Sequence, residues 1–254
     1  MRRTNPCEVI GHAGADGFFP ANTEQSFRKA IELGVDRIEC DVTGDFDRVL
    51  FLVHDQELPF EGSRRHVRTL TLEQMRQIDP FIVALEELLE VTEGKTPLLL
   101  DLKARGLEDD LILAIRSIRD AEDDISVSST HARTLRIIAT AIPEMRIGFS
   151  RGHWVTRIPR RYRSLVGWVE GLLQIVPLLL FGKWCRATEL MLYYHLCIPP
   201  LIKTMHAAGF RIYAWTPDRG YEFRTLLDRG VDGIITHRPD RLFAIMDATG
   251  VPRL

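Results

Sequence analysis

A TIM (β/α)8 barrel is the fold class that this sequence predicts, and three observations predict it. Eight short β-branched or apolar runs alternate with longer helical patterns, as repeated βα units around a parallel sheet do. The length of 254 residues, 45% of them hydrophobic, suits the roughly 250 residues of such a barrel. A ninth strand-like run, Val49 to His54, follows the second strand after only Thr43 to Arg48, too short a link for a parallel crossover.

The first strand is Glu8 to His12. The helix after it, Thr23 to Leu33, places Phe27, Ala30, Ile31 and Leu33 at helical spacing, with Asn22 or Thr23 as N-cap and Gly34 as its stop. Strand two is Arg37 to Val42. Val49 to His54 then folds back as a β-hairpin excursion after strand two, which carries His54 over the C-terminal mouth where these barrels keep their chemistry.

The remaining strands are Leu98 to Lys103, Ile125 to Ser128, Arg146 to Phe149, Glu189 to Tyr193, Arg211 to Trp215 and Gly233 to Thr236. Helices are expected over Leu107 to Asp120, Ala132 to Ala141, Pro200 to Ala208, Tyr221 to Arg229 and Asp240 to Ala248. With no internal repeat and no low-complexity linker, a single domain over 1–254 is expected, with an apolar insertion around 157–185.

The formal net charge of -2 is spread along the chain, so no block of charge points to a nucleic acid or an acidic partner. Cys7, Cys40, Cys185 and Cys197 lie far apart without a CxxC spacing and read as buried or idle thiols. The basic start MRRTNPCEVIGH lacks the apolar run of a signal peptide, so a cytoplasmic protein is expected. Nothing in the pattern sets the oligomeric state.

Leu165 to Trp184 is nearly all apolar and follows a basic stretch, Arg157 to Arg163. Glu170, Gln174 and Pro177 interrupt it and argue against a membrane span. A core helix covering the barrel is the leading reading. The other is a peripheral membrane contact through 157–184, with Arg157, Arg160, Arg161 and Arg163 on anionic headgroups and Trp168, Leu172, Leu173 and Leu178 at the acyl boundary.

The residues that carry chemistry sit at strand ends. His12 closes strand one. Glu39 and Asp41, two apart on strand two, share a face and repel each other unless a cation binds between them. Asp101 and Lys103, again two apart, break an apolar run in LLLDLK, and His54 with Asp55 closes LFLV. Oxygen ligands of this kind suit a hard divalent cation, Mg²⁺ or Ca²⁺. Together these types support phosphoryl transfer: a cation against phosphate charge, one histidine accepting a proton, the other donating one, and lysine against developing charge.

The order His12-Ala13-Gly14, Pro20 to Thr23, Glu39-Cys40-Asp41, His54-Asp55, Asp101-Leu102-Lys103, Ser128-Ser129, Ala214-Trp215-Thr216 and Gly230 to Thr236 resembles the glycerophosphodiester phosphodiesterases over about residues 8 to 245. The resemblance implies a phosphoric diester hydrolase in which Glu39, Asp41 and Asp101 hold the cation and His12 and His54 act as acid and base. Its products would be glycerol 3-phosphate and an alcohol, a reaction of glycerol and lipid metabolism. Lys103 and Trp215 are expected to bind substrate, Trp215 as an apolar wall.

The chain departs from that family at three places. Ala13 stands where members usually carry a phosphate-contacting arginine, Ala21 where they carry glutamate, and Asp101 where glutamate is common. The Asp101-x-Lys103 form is similar to sphingomyelinase D-like phospholipases, so a lysophospholipase D-type lipid phosphodiesterase is the alternative activity. A non-catalytic barrel that binds phosphodiesters or lipids is the alternative from another class. His66, His131, His153, His195 and His206 read as surface or core residues, whereas His237 follows the last strand and could line the rim.

Overall fold

The structure is a computed structural model that describes residues 6–118, 124–151 and 159–254. In chain order its strands are β1 (Glu8–Gly11), β2 (Arg37–Gly44), β3 (Leu50–Leu52), β4 (Glu57–Phe60), β5 (Ser63–His66), β6 (Leu98–Leu102), β7 (Ile125–Ser129), β8 (Arg146–Arg151), β9 (Glu189–Tyr193), β10 (Arg211–Trp215) and β11 (Gly233–Thr236). Eight of them pair in parallel in the order β1-β11-β10-β9-β8-β7-β6-β2, and β2 returns to β1 to close the ring. This is the expected TIM barrel, strand for strand. β3 lies antiparallel to β2, with Val42 opposite Leu52 and Gly44 opposite Leu50, as the short link requires.

Side chains alternate along a strand, so every second residue of the barrel points inward. The inward residues form three layers. At the N-terminal end, Arg37 pairs with Glu8 at 2.6 Å and Glu189 at 3.0 Å, and its guanidinium lies 4.6 Å above the Tyr213 ring. The middle layer is apolar: Ile10, Leu99, Met191 and Ile235 with Tyr213. Gly233 is required beside that ring, because a Cβ there would lie 2.5 Å from it. The third layer, at the C-terminal mouth, is the polar one.

The helices wrap the ring and bury their apolar faces against it. α1 (Glu24–Leu33) starts at Thr23, whose side chain caps Ser26 in a reciprocal capping box, and stops at Gly34 with φ 71°. Between β3 and β6 come the β4–β5 hairpin, α2 (Leu72–Ile78) and α3 (Leu85–Thr92), which the sequence pattern does not announce. They close over a small satellite core of Phe51, Val67, Leu70, Met75 and Ile82. The order continues with α4 (Glu108–Arg116), α5 (Ala132–Ala141), α6 (Arg160–Trp184), α7 (Pro199–Ala207), α8 (Gly220–Arg229) and α9 (Pro239–Thr249). The last residues of the helix expected to Asp120 lie outside the described residues, as does Arg157.

α6 is not the all-round buried core helix of the leading expectation. It covers the barrel through a narrow stripe of Gly167, Glu170, Gly171, Leu178 and Gly182, all buried. The approach is close: a Cβ on Gly167 would lie 2.8 Å from His195, and one on Gly182 2.9 Å from Phe210. Its large apolar side chains point the other way, with Leu165 69% and Leu173 72% exposed. All four cysteines are buried thiols.

Candidate active site

Period two on β2 and the register between β2 and β6 bring three carboxylates together. Asp41 sits directly opposite Asp101, and Glu39 is one inward step below Asp41. Each offers an oxygen within 4.8 Å of the others, and all three are buried. The surroundings hold them in place. Glu39 Oε2 accepts from the Ala13 amide at 2.9 Å, Asp41 Oδ2 from Asn22 Nδ2 at 2.8 Å, and Asp101 Oδ1 from Ser128 Oγ at 2.7 Å. Asn22, at φ 58°, also accepts from the Asp41 amide at 3.1 Å, so it clamps that residue from both sides.

Lys103 Nζ pairs with Asp41 at 2.7 Å and with Asp101. One ammonium against three buried carboxylates leaves the negative charge unbalanced. Burial first, then Asp41 beside it, pushes the Glu39 carboxyl up to about 7. Burial also opposes ionisation of Asp41, but Lys103 and Asn22 outweigh it and hold that carboxyl below the usual range. Lys103 is held charged: burial works against it, but Asp101, Asp41 and Glu39 outweigh burial. Hard oxygen donors with an unmet charge fit a divalent cation.

His12 follows β1 at the same level. Its Nδ1 lies 2.9 Å from Asp16 Oδ2, and its ring meets the His237 ring edge-on at 4.6 Å. Burial disfavours the charged ring, but Glu39, Asp16 and Asp41 outweigh it and raise His12 to about 9. His237 Nδ1 lies 2.7 Å from Asp218 Oδ2, and its Nε2 lies 3.6 Å from Asp16. Asp16 and Asp218 are additions that the sequence reading did not single out. His237 could be anticipated, since Gly233, Ile235 and His237 continue the inward period of β11 past its end.

A cavity of 230 Å³ opens over this layer, and His12, Glu39, Asp101, Lys103, Trp215 and His54 all line it. His54 stands at its rim, 66% exposed, with Nδ1 3.1 Å from Asp55 Oδ1. Trp215 packs against Tyr193 at 5.5 Å between ring centres. From His12 and His54 a further groove of 440 Å³ runs outward, with Leu52, Leu58, Phe81 and Ile82 as an apolar wall beside Asn22, Asp41, Asp55 and Asp79. A larger hollow of 730 Å³ lies on the outer wall between α5 and Trp184, away from these groups. His206 is paired with Asp232 at 2.7 Å, while His153 lies outside the described residues.

Loading this site with a cation has a fixed pH sign. Glu39 at about 7 and His12 at about 9 both carry protons that an incoming cation expels. Affinity for a divalent cation is therefore expected to rise about tenfold per pH unit between 7 and 9, and more steeply below 7. Titration calorimetry from pH 6 to 9 reads this, and an affinity that stays flat removes Glu39 from the ligand set.

The chain matches the model of the glycerophosphoryl diester phosphodiesterase family over residues 12–241. It is 28% identical over 260 residues to the glycerophosphodiester phosphodiesterase of Caldanaerobacter subterraneus subsp. tengcongensis, covering 95% of this chain and 98% of that protein. Its fold is similar to the crystal structure of a glycerophosphodiester phosphodiesterase from Parabacteroides distasonis, with TM-score 0.77, 18% identity, and 98% and 100% of the two chains covered. It is also similar to an Oleispira antarctica phosphodiesterase in complex with the product sn-glycerol-3-phosphate, with TM-score 0.74, 22% identity and 94% and 96% coverage.

Proposed function

Because the chain belongs to the glycerophosphoryl diester phosphodiesterase family, and is thus a phosphoric diester hydrolase, we propose that it hydrolyses glycerophosphodiesters to glycerol 3-phosphate and an alcohol in a cation-dependent reaction. The observation that carries this reading is the convergence of Glu39, Asp41, Asp101, Lys103 and His12 under one cavity. Glu39, Asp41 and Asp101 would hold Mg²⁺ or Ca²⁺, which when bound neutralises charge on the phosphate.

The remaining steps belong to side chains. With Nδ1 on Asp16, His12 keeps Nε2 for the reaction, where it takes a proton from the attacking water as that oxygen bonds to phosphorus and the bond to the alcohol oxygen breaks. The carboxylates that raise His12 are those a cation would neutralise, so His12 becomes a base in the loaded site. His54, at the open rim, gives a proton to the leaving alcohol oxygen. Lys103 faces the charge that develops on the phosphate, and Trp215 bounds the pocket on its apolar side.

The apolar groove favours a second reading, in which the substrate is a lysophospholipid whose chain lies over Leu58, Phe81 and Ile82. Such a substrate is delivered at a bilayer, and this reading goes with a peripheral membrane contact through the apolar helix α6. One assay separates the two readings: release of glycerol 3-phosphate and of choline from glycerophosphocholine and from lysophosphatidylcholine, each with Mg²⁺, Ca²⁺ or EDTA. EDTA-sensitive glycerol 3-phosphate from glycerophosphocholine is expected. Turnover of the lysolipid alone installs the second reading, and no turnover of either removes both.

A further inference from the structure

We propose that the outward face of α6 is a docking surface for an anionic phospholipid bilayer, with the helix lying in the plane of the interface. A helix on a globular surface normally turns its apolar stripe inward and its polar side to water. α6 carries a second apolar stripe on its outer side. Gly167, Glu170, Gly171, Leu178 and Gly182 face the barrel with Ile175 and Leu179 packed beside them, while Leu165, Leu172, Leu173, Val176 and Leu180 face out. Tyr162 and Trp168 flank that stripe toward one end, and Phe181 and Trp184 toward the other, as aromatic residues do at a membrane interface. From Tyr162 to Trp184 the stripe runs about 33 Å along the axis. A contiguous apolar surface of this extent marks a face that something covers.

The charges select what covers it. Glu170, the acidic residue of α6, is buried, and in the sequence of the helix the other charged residues are cations: Arg160, Arg161 and Arg163 in the first turn and, in the last, Lys183, whose Nζ also donates to the Ala208 carbonyl at 2.6 Å. Anionic headgroups complement both ends at once. A second copy does not, since pairing two α6 helices in either direction sets cations against cations. By length and composition the helix could cross a membrane. Its glycine stripe, however, holds it on His195, Leu196, Ile198 and Phe210, and leaving the barrel would expose Glu170 to lipid.

The docked orientation follows from the same contacts. Gly167 packs on His195, just past the mouth end of β9, and Gly182 on Phe210, just before β10 begins. The helix thus descends from the mouth along the wall, and docking it sets the mouth beside the headgroups. The surface is argued from α6 alone and stands whichever phosphodiester the site cleaves.

The test uses the full chain and the double variant Leu173→Glu/Leu180→Glu, both outside the catalytic layer. Co-sedimentation is measured with phosphatidylcholine vesicles, with and without phosphatidylglycerol, alongside Tm, light-scattering mass and turnover of soluble glycerophosphocholine. The chain is expected to bind the anionic vesicles at least about tenfold better than the neutral ones, and the variant to lose at least about tenfold in binding with Tm and turnover unchanged. Equal binding to both vesicles overturns the anionic assignment. Absence of vesicle binding, with a dimer that the variant dissolves, overturns the bilayer in favour of a second copy. Resistance to carbonate extraction overturns the interfacial placement. Loss of soluble turnover in both proteins would bear on the proposed reaction and leave the vesicle result standing.

Discussion

His12→Ala is expected to lower kcat on glycerophosphocholine by about 10²- to 10⁴-fold, the share that a positioned proton acceptor contributes. The substitution removes the ring that meets Asp16 at 2.9 Å and lines the cavity, but leaves Glu39, Asp41 and Asp101 with their own partners. Cation affinity measured by calorimetry should therefore persist, and should lose part of its dependence on pH near 9, because the proton on His12 is gone. Asp16 is left facing His237 at 3.6 Å, so Tm is read in parallel, with His12→Asn as a polar control for folding. Activity within tenfold of the parent in a folded variant would remove His12 from the reaction.

The largest effect on stability is expected at the other end of the barrel. Arg37→Ala takes the guanidinium from Glu189, whose next cation is Arg146 at 4.0 Å, and from Glu8, which keeps Arg211 at 2.8 Å; both carboxylates are 1% exposed. Breaking a buried ion pair from one side costs about 3 to 5 kcal/mol. For a chain of this size that corresponds to a fall in Tm of roughly 6 to 20 °C, readable by calorimetry. The cost comes from the stranded carboxylates rather than from the lost arginine. Arg37→Met combined with Glu8→Gln and Glu189→Gln should accordingly recover much of the loss. A single variant that melts within 2 °C of the parent, roughly half a kcal/mol, contradicts this account of the barrel floor.

The barrel was legible because its strands are buried on both faces and read as short apolar runs, so Leu98 to Leu102 and Glu189 to Tyr193 stand out from their neighbours. The carboxylates were legible for a related reason, since Glu39 with Asp41 and Asp101 with Lys103 break such runs at a spacing of two. Asp218 was not, because it sits on a loop and reaches His237 only through the closed fold, and Asp16 was not, because it meets His12 across an irregular turn that no regular period announces. β4, β5, α2 and α3 were hidden by mixed composition, as they build a satellite core under a long crossover rather than part of the barrel wall. The direction in which α6 faces was written in Gly167 and Gly171, four residues apart, but that stripe is small beside the leucines that dominate the segment.

On β1 the apolar middle layer of Ile10, Leu99, Met191 and Ile235 sets the ion-paired Glu8 about 13 Å from His12, whereas on β2 Arg37 and Glu39 are successive inward residues about 7 Å apart. Substitutions at Glu8 and His12 are therefore expected to add, and those at Arg37 and Glu39 to couple. Along β1 the layer works as an electrical spacer. Reactivity can be remodelled above it, by changing which oxygens, rings or cations line the opening, without drawing on the arginine knot that secures the closed ring below.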